Sequence, residues 1–324
     1  MEMRDALGLF NFYFLGYKRC LRSLGSQISW QVNAMDFTTQ FVRAKNPCAQ
    51  GYRWFVRNHL QGGNYQQVLD DLVKAGRVDD ACWLLDQFGP TSAVLKAHSI
   101  EAEAVVFAGS IEVGGAIDVN SIVRAGRSIM ARGGICAGGS IIAGSDIHAG
   151  ANIRSGAKLQ SGGDIRCDWG VEAAGAIHCG GGLRVSWGVT SGGRLDAVDN
   201  VVVGHDLMVE GPIACGKGLH IRGAIKGFDS IRAGQGILCG ASVYCATHLE
   251  AGLGIKAAES IVAGGSIRAG ESLSSGEDLR AGSGYGIFAG LCVQHEAWDT
   301  SARVCASVKP ERLMSGCWSG VCPV

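Results

Sequence analysis

From Val105 to Leu279 the chain places an aliphatic residue at every sixth position without a break, through Ile111, Ile117, Val123 and Ile129 to Ile267 and Leu273. Two positions after most of these stands a small residue, as at Ala131, Ala143, Ser155, Cys167 and Cys179, with Phe107 and Ile221 as larger exceptions, and a glycine commonly follows. A helix would repeat its apolar positions at three and four, and a membrane span would need an unbroken apolar run, so this period excludes both. Side chains alternate along a strand, which turns the aliphatic and the small residue to one face and the residue between them to the other. One hexad therefore reads as one short strand and a corner. Three hexads close a triangular coil of about 18 residues, and stacked coils bury the aliphatic side chains in a continuous column. Thirty hexads make ten coils, a rod roughly 50 Å long at about 4.8 Å per stacked strand. Glycines such as Gly144, Gly150, Gly156 and Gly162 are expected at the corners with positive φ, where a Cβ would be costly.

The expected fold is mainly β, a single-stranded parallel β-helix over residues 98–291, with other material on both sides. Upstream, Asn64–Ala75 carries Val68, Leu69 and Leu72 on one helical face before Gly76, and Val78–Gln87 carries Val78, Cys82 and Leu85 before Gly89 and Pro90. A third helix is expected over Pro47–Leu60. These segments make residues 35–97 an α-helical cap suited to cover one end of the rod, whose bare strands would otherwise invite stacking of molecules. Residues 292–324 read as an irregular tail able to cap the other end, and residues 1–34 as a poorly defined extension, with Met35 as an alternative start. The apolar stretch Ala6–Tyr17 is shorter than the roughly 20 residues of a spanning helix and lacks a clean basic start, so neither a membrane anchor nor a secretion signal is expected.

Composition changes the picture in three ways. The 50 glycines among 324 residues belong to the repeat, since five prolines and no Gly-X-Y period exclude collagen. Equal counts of 29 basic and 29 acidic residues argue against a polyanion-coating protein. Thirteen cysteines, an odd number without small-domain spacing, fit reduced thiols in a cytoplasmic protein. Cys167, Cys179, Cys215, Cys239 and Cys245 occupy the inward small position and read as compact hydrophobes. The tail cysteines Cys292, Cys305, Cys317 and Cys322, with His295, are too loosely spaced for a zinc site. No phosphate-binding loop, metalloprotease helix or nucleophile elbow is present, and no insertion interrupts the hexads, so neither catalysis nor a cofactor or metal is expected.

The outward positions carry the candidate chemistry, because residues 18 apart lie one above another. His148, Arg166, Arg184, Val202 and His220 form one row, and at the adjoining corner Trp169 and Trp187 are followed by His205. Two indoles where glycine is usual, beside two arginines, combine rigid apolar area with bidentate donors, a pairing frequent at binding hot spots. They read either as a protein-binding face centred on Arg166, Trp169, Arg184 and Trp187 or as a surface ladder held by stacking and cation–π contact. Nucleic acid is the lesser option, since no long basic stripe accompanies them.

The small residue follows the aliphatic by two positions, whereas left-handed hexapeptide helices place it two positions before. In this the rod resembles the triangular helices of bactofilins and of flagellar assembly protein A, and that resemblance implies a right-handed helix. The block CAQGYRWFVRNHLQGGNYQQVLDDLVKAGRVDDACWLLDQFGPT (Cys48 to Thr91), followed at once by glycine-rich hexads, resembles in layout immunity proteins encoded beside effectors of type VI and contact-dependent secretion systems, nuclease effectors in particular. The resemblance implies a monomeric bacterial cytosolic inhibitor, not an enzyme, that binds a cognate toxin such as a DNase and blocks its active site or substrate path. It transfers no site residues. The competing expectations are a self-assembling scaffold of bactofilin type and, third, a sugar- or nucleotide-modifying enzyme, which would require a deep pocket.

Overall fold

A computed structural model describes residues 36–60 and 62–321. The extension over residues 1–34, the alternative start at Met35 and Cys322 lie outside the described residues. The hexads form a parallel β-helix of three sheets, in which each coil runs through sheet I, then II, then III. Sheet I has 13 strands, from Val94–Ala97 to Cys317–Gly320. Sheet II has 11, from Ile100–Ala102 to Leu279–Arg280, and sheet III has 12, from Val105–Phe107 to Leu313–Ser315. Every strand of the regular run pairs in parallel with its equivalents one coil before and one coil after, as in Ile147↔Ile165↔Leu183. The aliphatic column is dry: Ile111, Ile129, Ile147 and Ile165, stacked on the inner side of sheet I, are all 0% exposed.

The rod is longer than the unbroken hexads predict, about 13 coils instead of ten. It continues where the period does not. At the start, Leu95 pairs with Ile111 and Ile100 with Ile117, closing coils slightly shorter than three hexads. At the end, Ile267 pairs with Ile287 across a coil slightly longer than three hexads, and Leu273 pairs with Val304 across a longer excursion that includes the short helix Trp298–Ser301. The segment beyond residue 291 therefore contributes strands to sheets I and III, because a parallel strand needs only a free edge to pair with, whatever the length of the connection.

The corner glycines serve a different purpose from the one expected. Positive φ among the described glycines occurs at Gly62, Gly76, Gly89, Gly284, Gly290, Gly316 and Gly320, none of them a corner of the regular rod. Proximity to the previous coil is what excludes a side chain: a Cβ built on Gly144 would sit 2.1 Å from the carbonyl oxygen of Gly126. The inward small position also does more than fill space. Ser155 Oγ donates to the carbonyls of Gly139 (2.9 Å) and Lys158 (3.0 Å), and Cys167 Sγ donates to those of Ala151 (2.9 Å) and Gly170 (3.3 Å). Serine and cysteine thus tie a corner to the coil beneath it, while burial pushes the Cys179 thiol up to about 12. Among the described residues ten cysteines carry free thiols. Cys305 departs from the all-thiol expectation, for it is disulfide-bonded, in the stretch where the hexad has given way to irregular coils.

The helical cap has four helices: α1 (Thr39–Ala44), α2 (Ala49–Asn58), α3 (Tyr65–Lys74) and α4 (Val78–Phe88). Asn64 caps α3 by accepting from the backbone N–H groups of Gln66 and Gln67. The apolar faces of α3 and α4 close over Val42, Phe55, Val68, Leu69, Leu84 and Leu85, and this small core extends to the outward side chain of Val106. The cap leans on the outer face of the first coils of sheet III. Gln66 fixes the junction, donating from Nε2 to Val106 O (3.0 Å) and accepting at Oε1 from Ala108 N (2.9 Å), and Asp86 pairs with Arg124 one coil on. No helix of the described residues is long and apolar enough to cross a membrane.

Candidate functional site

The corner between sheets I and II has a continuous backbone ladder that sets the spacing of its side chains. Trp187 N donates to Trp169 O, His205 N to Trp187 O (both 3.0 Å) and Gly223 N to His205 O (3.1 Å). Residues held one coil apart in this way bring their rings into contact. Trp187 and His205 stack at 4.6 Å with 16° between their planes, and Trp169 follows at 6.5 Å, tilted by 40°. His205 Nδ1 lies 3.1 Å from Asp206 Oδ2, and Asp206 Oδ1 accepts from Ala224 N at 2.8 Å, so the carboxylate braces both the ring and the next coil. Trp169 and Trp187 remain 60% and 55% exposed, which is unusual for the largest apolar side chain on a folded surface.

The structure brings Trp169, Trp187 and His205 together and leaves the other candidates on the neighbouring face. His148, Arg166, Arg184, Val202 and His220 form the expected row, each paired in register with the next along sheet I. Arg166 is turned to Asp164 at 3.0 Å, not to an indole. The carboxyl of Asp164 is held below its ordinary value, first by the Gly182 N–H donating to it and then by Arg166. The cation–π contacts among the described residues are Lys45 over Phe88 and Arg268 over Phe288. The ladder is therefore held by ring stacking and its backbone, without the arginines.

A groove of about 440 Å³ opens on the other side of the ladder, over sheet II. Trp169, Trp187 and His205 form one wall, and its floor includes Arg154, Glu172, Thr190 and Met208, the outward residues of four successive strands. Arg154 donates from Nε to Glu172 Oε2 at 2.9 Å. Asn152 accepts from Gly170 N and shapes the upper rim. These floor residues are the part that the outward rows alone do not reveal. The signal for them lies in the same coils, three positions after each ring: Trp169 to Glu172, Trp187 to Thr190, His205 to Met208.

Two other concavities are less suggestive. A shallow hollow of about 520 Å³ on sheet III surrounds Ala214, but its flanking charges are already matched, Arg232 with Glu250 and Asp196 with Arg194. In the cap, Trp54, Phe55, Trp83 and Leu84 line a pocket of about 260 Å³ whose polar edge includes Asp79 and Asp80. Among the described residues no group of three or more His, Cys, Asp or Glu side chains is placed to hold a metal ion.

The family model described as the YdhT N-terminal domain matches residues 35–89, which is the helical cap without the rod. No curated protein and no solved structure matches the chain.

Proposed function

We propose that the chain is a non-enzymatic binding protein whose indole corner docks onto a partner protein, and that this partner is a cognate antibacterial toxin of the nuclease class. The observation that carries the docking reading is the pair of neighbouring, more than half-exposed tryptophans at the lip of a groove. Indoles supply large contact area at little conformational cost, and here the rod has already fixed their spacing, so ordering on association costs less than it would for a loop. The toxin as occupant rests on the layout of cap and rod. The site of action in this reading is the bacterial cytoplasm, where the ten free thiols of the described residues are at home, the disulfide at Cys305 being the exception.

The test is co-purification of the protein with the product of the adjoining reading frame, followed by calorimetry on the isolated pair. Alanine at Trp169 or Trp187 is expected to weaken the complex by more than about 2 kcal/mol, roughly 30-fold, for the better anchor. Arg166→Ala and Arg184→Ala, on the adjacent face, are expected to have smaller effects. Unchanged affinity in both tryptophan variants would place the interface elsewhere.

A further inference from the structure

The aromatic ladder stops at Trp169, because the residue that takes its place one coil earlier is Ala151. Among the described residues Trp187 is the one ring neighbour of Trp169. The indole face turned away from Trp187 therefore overlooks Gly150 and Ala151, where a methyl group is the largest side chain, and Trp169 is 60% exposed. The chain cannot fill this step from Gly150, since a Cβ there would collide with the Arg132 carbonyl oxygen. On the far side of the step stands Arg132, which holds in its own coil the corner position that Asp168 holds two coils later. Arg132 is exposed, and its guanidinium has no ion-pair or hydrogen-bond partner among the described residues.

The step is thus bounded by two groups with a common preference. An indole face takes another ring offset against it, with centroids about 4.5–7 Å apart. A guanidinium favours the electron-rich face of an aromatic ring within about 6 Å. One coil is about 4.8 Å, so a ring at the level of Gly150 and Ala151 lies one coil from Trp169 on one side and one coil from Arg132 on the other. Trp187 and His205 already realise the spacing, stacked at 4.6 Å from adjacent coils. Charge then selects among flat occupants. Arg132 is offset by the Asp168 carboxylate, which also lacks a partner, while Arg166 is turned to Asp164 and Arg154 to Glu172. With His148 neutral the surroundings carry no net charge, which favours a neutral ring over a phosphate-bearing base or a second guanidinium. We infer that this end of the ladder receives an aromatic side chain of the partner protein, inserted over Ala151 between Trp169 and Arg132 as the next rung. The inference rests on the docking reading and deepens it by naming the chemistry of the partner's anchor.

The probe is N-acetyltryptophanamide titrated into the full chain and followed by the indole N–H resonances, with N-acetylargininamide and adenosine monophosphate as comparisons. A saturable shift of the Trp169 resonance is expected with the tryptophan probe, several-fold weaker in Arg132→Gln and abolished in Ala151→Trp, which puts the chain's own ring into the step. The same position of the coil carries an indole in each of the next two coils, so the rod accommodates that substitution, and circular dichroism and melting check it. In the isolated complex Ala151→Trp is expected to weaken the partner roughly 10-fold or more. A stronger response to the arginine probe or to adenosine monophosphate would overturn the aromatic assignment. Absence of a saturable shift, or a shift unchanged in both Arg132→Gln and Ala151→Trp, would overturn the inference and leave the docking surface standing if Trp187→Ala still weakens the complex. Indifference of the complex to Trp169→Ala, Trp187→Ala and Ala151→Trp alike would remove both.

Discussion

At Gly144 the volume that a methyl group needs is already occupied by the Gly126 carbonyl oxygen of the coil before, whereas Ala174 holds the equivalent place in its own hexad with a side chain present. The corner therefore exists in two forms, one that glycine alone can enter and one open to other residues. Gly144→Ala is expected to lower stability by about 1–3 kcal/mol, the range for forcing extra atoms into a packed site, while Ala174→Gly costs less than about 1 kcal/mol. Parallel thermal melts of the two variants check the difference, and equal shifts would show that the close approach relaxes freely. The place of each corner glycine is legible in the sequence, but its reason is not. Freedom at positive φ is the usual explanation for a glycine in a turn. Here the reason is an atom one full coil back along the chain, a neighbour known only once the coil has closed. The same holds for Ser155 and Cys167. Their small size is evident from the pattern, while the carbonyls they bridge become neighbours only through stacking.

A strand in this molecule is a short segment with one aliphatic anchor, too little to be stable alone and stabilised entirely by the strands on either side. Ile165 shows what that implies, being fully buried and hydrogen-bonded through its N–H to Gly182 O at 2.9 Å. Ile165→Asp would place an unpaired carboxylate in the column at a cost of several kcal/mol, so the coil should open there and expose its neighbours. Hydrogen exchange is expected to show lost protection concentrated around residues 147–185 and fading with distance in both directions, and uniform loss along the rod would show that the rod unfolds as one unit. Element by element, the regular rod is readable because one period runs through it. The helices over Ala49–Asn58, Tyr65–Lys74 and Val78–Phe88 are readable from their apolar faces, and the short α1 offers too few positions to show one. The outermost coils escape because they are shorter or longer than three hexads, which breaks the count while their strands still pair. Of the candidate site, the aromatic row is visible as a spacing of 18. The groove is not, since concavity depends on how far the corner rings stand above the floor of the next sheet.

For the whole molecule, the decisive question is whether rods join end to end. The first coils are flanked by the helical cap through Gln66, Asp86 and Arg124, and the last coils by the excursion that includes Trp298–Ser301. Material of this kind beside the end coils is expected to hinder the continuation of sheets from one molecule to the next, which a filament-forming scaffold requires. Sedimentation of the purified chain is expected to give a single monomeric boundary across a wide concentration range. Gln66→Ala, which removes the two bonds from the Gln66 side chain to the first coil and leaves the Asp86–Arg124 pair, is the variant expected to associate if the cap's docking is what prevents it. Filaments formed by the unaltered chain would favour the scaffold reading over the inhibitor.

The constant offset between paired strands makes the molecule a ruler: each residue added to the regular rod advances its axis by only about 0.27 Å. Lengthening by tandem duplication is then quantised. A copied segment of three hexads inserts one coil and leaves every outward row in line, whereas a copy of one or two hexads would carry the indoles round to a different face. A genome could therefore slide the aromatic corner along the axis relative to the cap in steps of one coil without re-aiming it, and relatives of this chain would be expected to differ in rod length by whole coils.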